Sequence, residues 1–333
     1  MEKIVPLLVL LFLVMTITGV MKETNSVPSV YYVLKKYVKS KRVLVAIVSL
    51  VFGILPVQGR IGLVCGMLDA VQDKGKNNQK MGPISFLSAH HYYLWSPIEK
   101  SVIIVCGVVG ISYWKFISLM WLPAAIAIIF SIVYVFAAVT EEEISLTEVA
   151  EVSYTGLIIP SGFIVSILAI LAFPDCMNII LGVYAALLCV YLRKFKLSWI
   201  DWKVLGIACF AVFLGEYATA QSPFLLEHLK DYAGGGGIKM AIAPVVLASF
   251  LFAFVMGSSA KFAAACGVLV AIFGVKYLPL FYLVEYFGYL LSPAHSCVVI
   301  GKQYFKSPIG MYFAPLVLLG SILSLYGILV TLI

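Results

Sequence analysis

Tyr93-Leu94-Trp95-Ser96-Pro97-Ile98-Glu99-Lys100-Ser101-Val102-Ile103-Ile104 is matched without gaps by Tyr289-Leu290-Leu291-Ser292-Pro293-Ala294-His295-Ser296-Cys297-Val298-Val299-Ile300, and six of the twelve positions are identical. The offset between the copies is 196 residues. Each copy lies in an apolar stretch and carries a Ser-Pro pair followed two residues later by an ionisable side chain, Glu99 or His295. Proline removes an intrahelical hydrogen bond and frees a carbonyl. Both stretches therefore read as broken membrane helices. Broken helices in corresponding positions of two halves point to the binding site of a secondary transporter.

Composition sets the solvent. The chain is 62% hydrophobic and only 12% charged, and its mean hydropathy is +1.06. A soluble domain has about 25% charged residues, so the chain reads as a polytopic membrane protein in a lipid bilayer. Its apolar runs are continuous over about twenty residues, whereas barrel strands alternate over about ten. The net charge of +7 does not point to nucleic acid, because most Lys and Arg sit in a few short loops, where they set topology. The seven cysteines show neither a CxxC pair nor a His-Cys cluster and read as small packing residues.

Eight stretches fit a bilayer of about 30 Å, which takes roughly 20 residues: 4–21, 84–112, 117–139, 152–173, 176–192, 204–222, 278–301 and 310–332. The first reads as a retained helix, since its basic flank is weak. Residues 43–72 and 239–274 each read as two short apolar arms around a polar tip, Gln58-Gly59-Arg60 in one and Gly257-Ser258-Ser259-Ala260-Lys261 in the other. That is the pattern of a re-entrant hairpin. Arg60, Cys65, Gly66 and Leu68 align with Lys261, Cys266, Gly267 and Leu269. The expected fold is an all-α polytopic membrane protein with an inverted-topology repeat, about eight transmembrane helices, two re-entrant helical hairpins and two broken helices. The first repeat is 1–139, with hairpin 43–72, broken span 84–112 and span 117–139. Linker helices occupy 140–203. The second repeat is 204–333, with hairpin 239–274, broken span 278–301 and span 310–332.

Charge bias orients this scheme. Counting through the spans puts fifteen Lys and Arg on the side of loops 22–42, 73–83, 140–151, 193–203 and 302–309, and five on the other. Basic loops mark the cytoplasm. A cell-membrane location follows (the inner membrane in a Gram-negative cell), with both termini outside.

Leu55-Pro56-Val57-Gln58-Gly59-Arg60, Ala89-His90-His91-Tyr92-Tyr93-Leu94-Trp95-Ser96-Pro97, Leu291-Ser292-Pro293-Ala294-His295-Ser296-Cys297 and Gly301-Lys302-Gln303-Tyr304-Phe305 carry a resemblance from about residue 43 to the C-terminus. The chain resembles the ion transporter superfamily, which includes gluconate, citrate, dicarboxylate and arsenite permeases. More closely, it is similar to a family of uncharacterised integral membrane proteins within it. The resemblance implies hairpins and broken helices meeting at the midplane, and it supplies no substrate. The first hairpin tip lacks the Ser-Asn-Thr cation motif of better-known members.

The candidate substrate-binding residues are Arg60, Ser96, Pro97, Ser258, Ser259, Lys261, Ser292 and Pro293. Arg60 and Lys261 would attract an anion, because a cation at bilayer depth needs a partner; structural pairing with Asp69, Glu285 or Glu99 is the alternative. Glu99 and His295 are the candidate coupling-ion residues, since histidine titrates near neutral pH. A coupling H+ or Na+ is expected, with no other cofactor and no metal. Adjacent His90 and His91 point about 100° apart on a helix, so they read as part of an aromatic interface cluster. Glu216 and Glu285 lie in spans and should face the interior. The function expected is an ion-coupled secondary transporter of a small anionic solute, with a homodimer as a candidate assembly. A cation/proton exchanger or a channel is the alternative, followed by a scaffold or an intramembrane enzyme. No HExxH or GxSxG motif supports an enzyme.

Overall fold

The computed structural model describes residues 4–24, 33–52, 60–71, 79–140, 154–173, 176–232 and 237–332. Among them are fourteen α-helices and no strand. They are α1 (Ile4–Glu23), α2 (Lys41–Phe52), α3 (Arg60–Ala70), α4 (Met81–Ser88), α5 (Lys100–Val109), α6 (Tyr113–Ala138), α7 (Tyr154–Ala172), α8 (Met177–Leu192), α9 (Trp202–Tyr232), α10 (Gly237–Met256), α11 (Ser259–Phe273), α12 (Leu278–Leu291), α13 (Ser296–Tyr304) and α14 (Ile309–Leu332). Helices predominate because only a helix satisfies every backbone polar group within one apolar segment.

Four of these are long and apolar enough to cross a membrane: Ile4–Met21, Tyr113–Ala138, Trp202–Leu225 and Ile309–Thr331. Val275–Leu291 with Ser296–Tyr304, bent by 43°, makes a fifth if counted as one span. The chain is thus an all-helical protein with the helices of a membrane protein. The remaining expected spans appear as shorter or interrupted apolar helices. Stretch 84–112 shows why: it divides into α4, a 3-10 turn at His91–Leu94, and α5. Helix α9 instead overruns its expected end at 222 and continues to Tyr232.

Both expected hairpin regions contain paired short helices. In the second, α10 and α11 are separated by Gly257, whose φ of 54° suits glycine. In the first, α2 and α3 flank residues 53–59, which lie outside the described residues. The arms pack crosswise: α3 lies on α13, while α11 lies on α5. Small residues permit close approach in the apolar interior; Gly288 of α12 sits where a Cβ would fall 2.4 Å from the Phe250 carbonyl oxygen on α10.

Three polar contacts gather helix ends. Lys196 Nζ bonds Glu23 Oε1 at 2.7 Å, Arg42 Nε donates to the Val139 carbonyl at 2.7 Å, and Ser307 Oγ donates to the Gln79 carbonyl at 2.6 Å. At other ends, Pro6, Tyr113, Trp114, Met177 and Asn178 line one cleft of about 280 Å³.

Candidate functional site

The two Ser-Pro segments fold alike because they carry the same local instruction. Glu99 N–H bonds the Ser96 carbonyl, and His295 N–H bonds the Ser292 carbonyl, each at 3.2 Å. Glu99 and His295 are both extended (φ −75°, ψ 130° and φ −78°, ψ 110°) and immediately precede α5 and α13. Each residue's carbonyl then accepts the first helical bond, from Ile103 and Val299 respectively. Proline at the second turn position has φ preset and needs no hydrogen-bond partner for its nitrogen.

Tertiary packing brings the two breaks together. The Tyr93 and Tyr289 hydroxyls meet at 3.1 Å, and Tyr286 donates to the His90 carbonyl at 3.0 Å. Both pairs are 196 residues apart, the offset of the sequence match. Tyr282 donates to the Tyr93 carbonyl at 2.6 Å and sits 3.1 Å from the Ser101 hydroxyl. Around them His90 stacks on Phe86 with centroids 3.9 Å apart, and His295 stacks on Tyr289 at 4.0 Å. Ser96, Glu99, Ser101, Ser292 and His295 are all buried.

At the centre, His90 Nε2 lies 3.3 Å from His295 Nε2. The other ring nitrogens face carbonyls: His90 Nδ1 is 2.6 Å from the Phe86 oxygen, and His295 Nδ1 is 3.2 Å from the Tyr289 oxygen. The ligand atoms of His90, His295 and Cys297 all lie within 4.8 Å of one another.

A His-Cys cluster that the sequence did not show is assembled in the fold, His90 and His295 being 205 residues apart. His90 and His91 are both interior residues. The adjacent histidines indeed diverge, and His91 Nδ1 accepts from Trp95 Nε1 at 3.1 Å. His90 finds its imidazole partner in the other half of the chain. The Ala-His-His and Ala-His-Ser contexts offered one clue, a histidine near each Ser-Pro pair.

The other candidates distribute around this centre. Gly257 brings the α10–α11 turn against the second break: a Cβ there would sit 2.7 Å from Ser292 Oγ and 2.8 Å from His295 N. Ser258 and Ser259 follow it, half-buried. Pro97 is buried and lines the 280 Å³ cleft, whereas Pro293 is exposed. Lys261 is exposed as well. Its ammonium approaches Met256 Sδ at 3.6 Å, and it lines a separate apolar groove of about 980 Å³ with Lys203. Arg60 begins α3, and its side chain lies outside the described residues.

Of Glu216 and Glu285, Glu285 faces the interior as expected and is fully buried. Glu216 departs from its expectation and is exposed. The buried stripe of α9 passes through Ala208, Ala211, Val212 and Ala218, and one position's rotation of about 100° carries position 216 off the stripe's Gly215.

A search of curated proteins finds no match to the chain. The family pattern described as "Protein of unknown function (DUF401)" matches residues 2–333. The chain therefore belongs to the DUF401 family.

Proposed function

We propose that this protein is a secondary active transporter that moves a small solute by alternating access between its two broken helices. The observation that supports this reading is the meeting of the breaks. Ser96, Glu99, Ser292 and His295 are buried at one junction, and residues 196 apart touch there. Polar and ionisable groups are costly in a membrane interior and usually mark a pathway. The matched turns, together with the crosswise packing of α3 on α13 and α11 on α5, favour an inverted repeat. They also favour kinship with the ion transporter superfamily and the eight-span count with two re-entrant hairpins.

Transport is ion-coupled, by a proton or sodium, with the ion held near Glu99 and His295. The solute is an anion attracted by Lys261 and Lys203 at the groove and by Arg60. The protein sits in the cell membrane with loops 22–42 and 193–203 in the cytoplasm, joined there by the Glu23–Lys196 contact.

Reconstitution into proteoliposomes tests the reading. Uptake of a small carboxylate or oxyanion should saturate and follow an imposed proton or sodium gradient. Lys261→Ala should raise the half-saturating concentration without lowering the unfolding temperature. Flux that rises linearly with concentration would indicate a channel, and no flux of any solute in a broad panel would favour a scaffold.

A further inference from the structure

We propose that His90, His295 and Cys297 form a binding site for a soft divalent cation of the Zn2+ type. The outer ring nitrogens fix the tautomers. A backbone carbonyl can only accept, so each imidazole bonded to one carries its proton on Nδ1. His90 does this with Phe86 and His295 with Tyr289. The Nε2 atoms of the two rings face each other at 3.3 Å, and a Lewis acid held between them would take a lone pair from each in place of a proton shared by the two rings.

Several features select a metal ion. Histidine ligands characteristically donate their second ring N–H to a carbonyl or carboxylate, which fixes tautomer and orientation; both rings here are held in that way. Two nitrogens bound at about 2.0–2.1 Å around a tetrahedral ion lie about 3.3–3.4 Å apart, which matches the observed separation. Cys297 brings a sulfur ligand within 4.8 Å of both nitrogens. A nitrogen-and-thiolate set favours Zn2+ and its neighbours over Na+, Mg2+ or Ca2+, which prefer oxygen. Binding by the thiol releases its proton to solvent as the metal–sulfur bond forms. The ligands come from both broken segments, so an ion there would cross-link them. The site does not depend on the transport reading and can be measured without it.

Cobalt titration of the detergent-purified full-length chain provides the test, because Co2+ substitutes for Zn2+ and reports its ligands optically. One equivalent should produce the visible bands of a tetrahedral ion and a near-ultraviolet thiolate-to-cobalt band, both erased by added Zn2+. Cys297→Ser should abolish the thiolate band and keep the visible bands. His295→Gln and His90→Gln should weaken cobalt binding by roughly tenfold or more. Thermal unfolding of each variant identifies those that remain folded, and the Cys297→Ser spectrum carries the test if a histidine variant does not. A blank spectrum at saturating Co2+ in folded wild-type protein would overturn the site, leaving the imidazoles to share a proton. Cobalt bands unchanged by all folded variants would overturn it equally.

Discussion

Two residue contacts decide how closely the breaks can approach. Gly257 has φ of 54° and its missing Cβ faces backbone atoms at 2.7–2.8 Å. Left-handed backbone costs an L-residue about 1–2 kcal/mol, and overpacking adds about 1–3 kcal/mol. Gly257→Ala should therefore destabilise by about 2–5 kcal/mol, seen as a lower unfolding temperature and a smaller folded yield. The second contact is the Tyr93–Tyr289 hydroxyl pair. Removing one buried partner leaves the other unsatisfied, whereas removing both is milder. Tyr93→Phe and Tyr289→Phe should each cost about 1–2 kcal/mol, and the double variant should cost less than their sum. A double-mutant cycle by chemical unfolding measures that coupling. A strictly additive cycle would contradict the contact.

The short helix α13 rests on a local contact as well. It is nine residues long, too short to persist alone, so its start depends on the turn that precedes it. Ser292 Oγ accepts from Ala294 N–H at 3.2 Å inside that turn and is fully buried. Ser296 begins the helix but is exposed. Ser292→Ala should cost about 1 kcal/mol, as a lost buried hydrogen bond does, while Ser296→Ala should fall within about 0.5 kcal/mol of wild type. Unfolding midpoints of the two variants check this contrast. Equal losses would mean that the turn is held by packing around Pro293 instead of by its serine.

For the whole molecule the expectation is two-sided. Cysteines introduced at Lys196 and Lys306 in a cysteine-depleted protein should resist an impermeant maleimide added to intact cells, and cysteines at Trp114 and Lys276 should react. Labelling of 196 and 276 from the same side would rule out the span order. A pH signature accompanies the Glu23 contact that ties α1 to the segment before α9. Its hydrogen bond to Lys196 and the nearby lysine charges hold the Glu23 carboxyl below its ordinary value. A lowered folded value means the stabilisation is present above the unfolded carboxyl range and disappears as pH falls through the folded one. The effect of Glu23→Gln on unfolding temperature should be small, because the pair is exposed. It should fade as pH falls out of the ordinary carboxylate range and vanish once the carboxyl is protonated in both the folded and the unfolded chain.

Sequence alone pointed to a lipid solvent, since 62% hydrophobic residues is well above what a soluble domain carries. It also located both helix breaks, because Ser-Pro acts on its own backbone within one turn. The turn at Gly257 and the long apolar helices were legible for the same local reason. Interruption of 84–112 was only half legible: the break at Pro97 has a sequence marker, but the 3-10 turn at His91–Leu94 has none. The faces of α9 and the exposure of Glu216 depended on which neighbours pack against each stripe, which periodicity does not specify for a helix apolar all round. The meeting of His90, His295 and Cys297 belonged wholly to the tertiary structure. Residues 205 apart become neighbours only when two breaks cross, and no spacing along the chain encodes that approach.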